Sequence, residues 1–347
     1  MAVVNKLSIQ YIRSHDNFTT ELSPTVTVIT GQNGSGKTSL IEAIYVALQG
    51  SSFRGSDSDI LQKDKPWWRI DILFDDGNKR TIKFESEKLT GRKQFIIDDR
   101  TNYRLLPKHK HPVVLFEPDD LRLLNGSPTR RRQFIDRFIS QLNPLYSAAI
   151  HKYERALKQR NNLLKKPYTN SDELFVWNIA LSEYGSYIIE QRTIFIEQIN
   201  SKLNDAYNDI AEPGDSVSVH YSHTFIGDIK HKLLTELERS TSHDKITGNT
   251  SVGPHRHDVI FMFNNSPALS VASRGEVRTI VLALKFLEVA IIEQITNIKP
   301  LILLDDVFSE LDIDRQKALS DTIRSHQIII TSTHVLSDSN NYKHISL

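Results

Sequence analysis

Eight consecutive residues, Gly31-Gln32-Asn33-Gly34-Ser35-Gly36-Lys37-Thr38, constrain this chain more than any other stretch. They fit the pattern G-x-x-x-x-G-K-[ST]. The β-branched run Val26-Thr27-Val28-Ile29 precedes them and reads as a buried strand. Residues 39–48, a run of good helix formers, follow. Strand, glycine loop and helix in that order make the arrangement that cradles a nucleoside triphosphate.

The chemistry asks for these residue types. Glycines let successive backbone N–H groups converge on phosphate oxygens. The helix that follows turns its positive end to the same anion. Lys37 is placed to reach the β- and γ-phosphates, and the Thr38 hydroxyl to ligate Mg²⁺.

The rest of the composition excludes more than it suggests. With 43 Lys+Arg against 42 Asp+Glu the formal net charge is +1, so any nucleic-acid surface must be local. The chain has no cysteine, which removes thiol catalysis, disulfides and Cys-ligated zinc and fits a cytoplasmic protein. No apolar run approaches the ~20 residues of a membrane span, and the N-terminus lacks the pattern of a signal peptide.

Read in order, residues 3–12 and 26–30 are strands joined by a polar turn at 13–18. Residues 50–56 are a flexible connector. Residues 67–99 change to short strands, with a hairpin turn at Asp75-Asp76-Gly77-Asn78. Val113-Val114-Leu115-Phe116 is a further strand. Ser127-Pro128 and Pro144 then open two helices, and a third runs from near Ser171 towards Ile210. Their packing faces are Phe134, Ile135, Phe138, Ile139 and Leu142; Tyr146, Ile150, Tyr153 and Leu157; and Ile179, Tyr187, Phe195 and Ile199. Polar residues 215–224 interrupt the helices, a short helix covers 226–239, and 241–249 reads as loop. From residue 250 the α/β texture returns. The expected organisation is 1–125 as the N-terminal half of an ATPase domain with a β subdomain, 126–245 as an inserted helical lobe, and 246–347 as the C-terminal half.

A second phosphate-site motif lies in that last part. Pro300-Leu301-Ile302-Leu303-Leu304-Asp305-Asp306 is a buried strand ending in two acids, in the crevice where open α/β sheets bind ligands. Asp305 is the candidate for holding Mg²⁺ through water, opposite Thr38, and Asp306 for the general base on the attacking water. Around it stand Ser273-Arg274-Gly275 before a helix, Ser309-Glu310-Leu311-Asp312 after the strand, and Thr331-Ser332-Thr333-His334. In this order the series resembles the ABC-type ATPases. The resemblance implies a mixed-sheet P-loop head that dimerises with ATP between the copies. Ser273 and Gly275 then cap the partner copy's γ-phosphate, Asp312 lies on the loop that crosses the dimer, and His334 senses the γ-phosphate.

The match to one branch is closer. Val114-Leu115-Phe116-Glu117-Pro118-Asp119-Asp120-Leu121, Gly126-Ser127-Pro128 with Arg130-Arg131-Arg132, residues 153–164, Val252-Gly253-Pro254-His255-Arg256 and residues 303–312 together resemble the RecF family of bacterial DNA replication and repair ATPases. The resemblance spans essentially the whole chain. It implies a cytoplasmic protein that binds ATP and DNA, dimerises on ATP, hydrolyses it slowly, and acts with RecO and RecR to load recombinase at single-strand gaps in the SOS response. Three departures stand out. Ser273-Arg274-Gly275-Glu276-Val277-Arg278 replaces the family's glutamine-rich signature, His257 replaces an acid, and Glu117 stands where a glutamine loop is expected.

Asp306 is one methylene shorter than the glutamate of most ABC-type ATPases, which predicts slow turnover. DNA contact is expected on the first half of the helical lobe. There Lys152, Arg155, Lys158, Arg160, Lys165 and Lys166 face Glu154 as the lone acid, with Arg130, Arg131 and Arg132 nearby. Such binding is sequence-independent, for no base-reading module is present. The alternatives are a transporter-associated or scaffold ATPase of the same superfamily, or a small-molecule kinase. The long basic insert disfavours the first. The second has no need of the Ser-x-Gly and Ser-x-Leu-Asp series.

Overall fold

The fold was obtained as a computed structural model that describes residues 3–86, 91–166, 168, 170–211, 214–333 and 342–347. The chain divides into two compact units, residues 1–120 with 288–347, and residues 121–287.

In the first unit, β1 (Val4–Ile12) and β2 (His15–Glu21) form a hairpin, and β3 (Val26–Thr30) leads into α1 (Lys37–Gln49). After the short α2 (Asp57–Ile60) come β4 (Trp67–Phe74), β5 (Lys79–Glu85), β6 (Arg92–Ile97), β7 (Arg100–Asn102) and β8 (Val113–Phe116). One sheet is antiparallel, in the order β2-β1-β4-β5-β6-β7. The segment expected as a polar turn at 13–18 is thus largely its edge strand β2, paired Ile9 to Phe18 and Ser8 to Thr19.

The second unit is mainly helical. It holds α3 (Pro128–Leu142), α4 (Pro144–Leu164), α5 (Ser171–Asn208), β9 (Val217–Ser222), α6 (Ile229–Arg239), α7 (Thr241–Thr247), β10 (Asp258–Phe263), β11 (Ser266–Pro267) and α8 (Ala268–Val271). Ser127 caps α3 and Asn143 caps α4 through their side-chain oxygens, each just ahead of a first-turn proline. Four of the five expected α3 positions, Phe134, Ile135, Phe138 and Ile139, are buried, whereas Ile179 on α5 is exposed. Two segments differ from expectation. Val217–Ser222 is a strand, alternating buried and open positions, and residues 241–247 are helix.

β10 pairs with β9 in the three-stranded sheet β11-β10-β9. The stretch from 250 to 287 therefore packs with the helical unit. The expected boundaries at 125/126 and 245/246 give way to a division at 120/121 and 287/288, because β10 finds its hydrogen-bonding partner in β9.

α9 (Arg274–Thr296) carries the chain back to the first unit, which is completed by β12 (Leu301–Asp305), α10 (Ile313–Ile323), β13 (Ile328–Ser332) and β14 (Lys343–Ser346). Its second sheet is parallel, in the order β14-β3-β13-β12-β8. α1 packs against strands of both sheets and is buried around its whole circumference, from Leu40 to Leu48. That explains its apolar sequence: a helix between two sheets has no solvent face to keep polar.

Candidate phosphate and metal site

The parallel sheet brings the two halves of the first-unit site together. β3 and β12 flank β13, so the loop after β3 and the acids ending β12 emerge at the same edge. Gly34 and Gly36 have φ of 83° and 97°, values a side chain rarely adopts. A Cβ on Gly36 would also collide with the ring of His15, whose Nε2 lies 3.1 Å from the Gly36 carbonyl oxygen. The β1–β2 turn thus presses onto the glycine loop.

Lys37 Nζ donates to the carbonyls of Gly31 and Gln32 at 2.9 and 3.1 Å. It lies 3.9 Å from Asp306 Oδ2. Thr38 Oγ1 donates to Asp305 Oδ1 at 3.0 Å, and Thr331 Oγ1 donates to the same oxygen at 2.8 Å. Thr331 Oγ1 also accepts the Asp306 N–H at 2.9 Å. Burial pushes the Asp305 carboxyl above its usual range, and the bonds from Thr331 and Thr38 only partly oppose this. Asp306 adopts φ 51°, a left-handed conformation that Asp tolerates better than most residues.

These residues fit a triphosphate with Mg²⁺. Ser35 Oγ is buried inside the loop with no partner among the described residues, as a donor awaiting a phosphate oxygen would be. Thr38 Oγ1 and the Asp305 carboxylate, 3.0 Å apart, are hard oxygen donors of the kind that would hold Mg²⁺ directly or through water.

Sequence reasoning missed a supporting network. Arg13 holds the fully buried Glu42 of α1 through two bonds of 2.9 Å. Ser52 donates to Glu42 Oε1 at 2.6 Å and accepts the N–H groups of Arg54 and Gly55. The connector at 50–56 is thereby tied to the phosphate-loop helix, and the Arg54 charge acts on Asp305. An Arg and a Glu so far apart in sequence gave no local signal.

The other expected site residues fall as follows. Asp312 caps α10, accepting the Arg315 N–H at 3.0 Å, and pairs with the Arg315 side chain. Ser273 and Glu276 open α9 with a reciprocal pair. The Ser273 N–H donates to Glu276 Oε2 at 2.5 Å and the Glu276 N–H to Ser273 Oγ at 3.3 Å. Ser273 and Gly275 belong to the second unit, Asp312 to the first. His334 lies outside the described residues.

Two of the cations expected to meet DNA, Arg160 and Arg131, are corrected. Arg160 is fully buried, bonded to Asp244, Thr250, Asn178 and the Leu237 carbonyl. Arg131 is also buried and forks onto Asp258 at 2.9 and 2.8 Å. Both hold the helical unit together, so neither offers its charge to a phosphate. Arg132 is half-buried against the His257 carbonyl at 2.6 Å, and Arg130 is also half-buried. Lys152, Arg155 and Lys158 are exposed along α4.

A family model described as an AAA domain matches residues 6–212. The DNA replication and repair protein RecF of Clostridium perfringens is 33% identical over 349 residues, spanning 96% of this chain and 93% of the relative. The chain belongs to the RecF family. RecF of Streptococcus agalactiae is 34% identical over 345 residues, spanning 95% of this chain and 91% of its own length. Among solved structures, the recombination mediator protein RecF-ATP of the RecFOR pathway superposes with a TM-score of 0.86 at 29% identity, covering 97% of this chain and 93% of that one. The Smc head bound to the C-winged helix domain of ScpA gives 0.52 at 17% identity, covering 96% and 90%, a likeness of fold alone. This RecF-family chain thus has the fold of an ABC/SMC-like ATPase head, α/β with a helical segment. Among the described residues no helix is long and apolar enough to cross a membrane.

Proposed function

We propose that this RecF-family chain is a cytoplasmic, Mg²⁺-dependent ATPase whose ATP-bound homodimer clamps DNA at single-strand gaps and acts there with RecO and RecR. One observation carries the reading: Thr38 and Asp305 meet at 3.0 Å while Asp306 stands beside Lys37. A glycine loop without an acid pair at its mouth would bind an anion only. The acids at the mouth of this one support a Mg²⁺ site and a base beside the phosphates. The solved relative described as RecF-ATP supports the choice of nucleotide.

The backbone N–H groups of residues 31–38 and Lys37 hold the β- and γ-phosphates. Thr38, and Asp305 through water, would hold Mg²⁺, which would supply positive charge to offset that developing on the phosphates. Asp306 orients the attacking water and takes its proton. Ser273 and Gly275 act across the dimer, where the α9 N-terminus adds its dipole to the partner copy's γ-phosphate. Asp312 and His334 complete that interface as crossing loop and γ-phosphate sensor. Lys152, Arg155 and Lys158 contact the DNA backbone, joined at the margin by Arg130 and Arg132.

Fluorescence anisotropy on a gapped DNA, with and without ATP, tests this on the native chain and on Lys37→Met. Tight binding that needs ATP and is lost in the variant supports it. Equal binding in all four conditions uncouples DNA from the nucleotide and overturns the clamp.

A further inference from the structure

The tip of the helical unit, where α4 ends and α7 ends, carries a cationic cleft that the nucleotide chemistry does not use. Its volume is about 930 Å³, and its lining includes Lys165, Lys166, Tyr168, Asn170, Lys245 and Gly248. No carboxylate is among the described lining residues. Gly248, at φ 67°, closes α7 and lies against the stem of Lys165. A Cβ there would stand 3.2 Å from Lys165 Cγ.

Beneath the cleft, Arg160 on α4 donates to Asp244 on α7 at 2.7 Å, both fully buried. This pair fixes the two lysine-bearing segments side by side. It also engages Asp244, the acid next to Lys245 in the chain, in a buried pair of its own. Burial therefore makes Arg160 the pin of a cationic surface.

The rim is not polar. Tyr168 is 97% exposed and Ile246 86% exposed. A flat ring standing in water beside several lysines suits a ligand that brings both phosphates and unpaired bases. A duplex keeps its base faces inside the stack and leaves the ring unused. An acidic peptide answers the lysines but has no obligatory flat face for the tyrosine.

We propose that this tip binds a single-stranded nucleic acid segment, its phosphates on Lys165, Lys166 and Lys245 and a base stacked on Tyr168. The inference rests on the DNA-binding reading above and assigns the unpaired part of a gap to one face of the molecule.

The test is anisotropy of a short fluorescent oligothymidylate and of a blunt duplex, titrated with the full chain at several salt concentrations. The variants are Lys165→Gln/Lys166→Gln/Lys245→Gln, Tyr168→Ala and Tyr168→Phe. All lie on the exposed cleft, and circular dichroism confirms their folding. The triple variant should lower the log–log salt slope for the single strand by about 2, roughly 0.7 for each phosphate no longer neutralised. Tyr168→Ala should weaken the single strand about fivefold or more and leave duplex affinity unchanged, and Tyr168→Phe should restore single-strand binding. Native-like single-strand binding by the triple variant and Tyr168→Ala overturns this inference alone. So does an equal loss on both DNAs, which marks general charge, or loss of a protein partner with single-strand binding intact. If the native chain binds neither DNA, the DNA-binding reading falls as well.

Discussion

Thr38 Oγ1 and Asp305 Oδ1 meet at 3.0 Å although 267 positions separate them in the chain. The contact closes the phosphate loop against the end of β12 and puts a buried carboxylate where a divalent cation would bind. Burial raises the Asp305 pKa, so the folded chain holds that proton more tightly than the unfolded chain. The resulting stabilisation is present below the ordinary carboxylate pKa and is lost as pH rises through the raised value. At neutral pH ionised Asp305 therefore costs stability. Asp305→Asn keeps an acceptor for Thr38 and removes the buried charge, so its melting temperature should rise. Mg²⁺-dependent phosphate release should disappear. A fall in melting temperature would contradict this account of the site.

Asp306 combines a left-handed backbone with a short side chain. Glutamate would reach the water better but tolerates that backbone less. Asp306→Glu should speed ATP hydrolysis several-fold in steady-state assays while lowering stability by about 1 kcal/mol in urea titrations. Asp306→Asn should bind ATP and scarcely turn over. A native chain that hydrolyses ATP at motor-like rates would refute the reading of Asp306 as a slow base.

Arg160 and Lys158 are near neighbours on α4 with opposite fates. Removing Arg160 leaves Asp244 buried and unpaired, and Arg160→Ala should cost about 3–5 kcal/mol of unfolding free energy. Lys158→Ala should change stability by less than about 0.5 kcal/mol, yet weaken DNA binding and its salt dependence. Paired denaturation and anisotropy measurements separate the two roles. Equal stability losses would undo the distinction.

Acid should loosen the helical unit first. Burial pushes His255 down to about 4 and His257 down to about 3, with Arg192 and Arg132 adding repulsion at His257. His223 stacks on the His257 ring at 5.8 Å. Groups depressed in this way contribute stability above the unfolded pKa near 6.5, and that stability is lost as pH falls through the folded values. The urea midpoint should fall between about pH 6.5 and 4, and His257→Asn should flatten the fall. A midpoint that does not change across that window would show that neither histidine is held neutral.

Local chemistry made much of this legible in the sequence. The phosphate loop, β12 with its acids, and the helices starting at Pro128, Pro144 and Ser171 all carry their signals within a few residues. What was missed depends on distant partners. β2 is a polar edge strand whose partner β1 lies across a tight turn, and β9 is defined by its pairing with β10. Arg131 and Arg160 resemble surface cations until Asp258 and Asp244, 127 and 84 residues away, are in place. Charge counted along a helix cannot tell a buried pair from a solvated face.

ATP-driven dimerisation is the most direct test of the clamp. Sedimentation velocity of the native chain, Lys37→Met and Ser273→Arg, each with and without Mg²⁺-ATP, reads it without DNA. The native chain should double its mass only with nucleotide, and both variants should remain unchanged. A native chain whose mass ignores ATP, or a Ser273→Arg variant that dimerises as the native chain does, would contradict the proposed nucleotide sandwich.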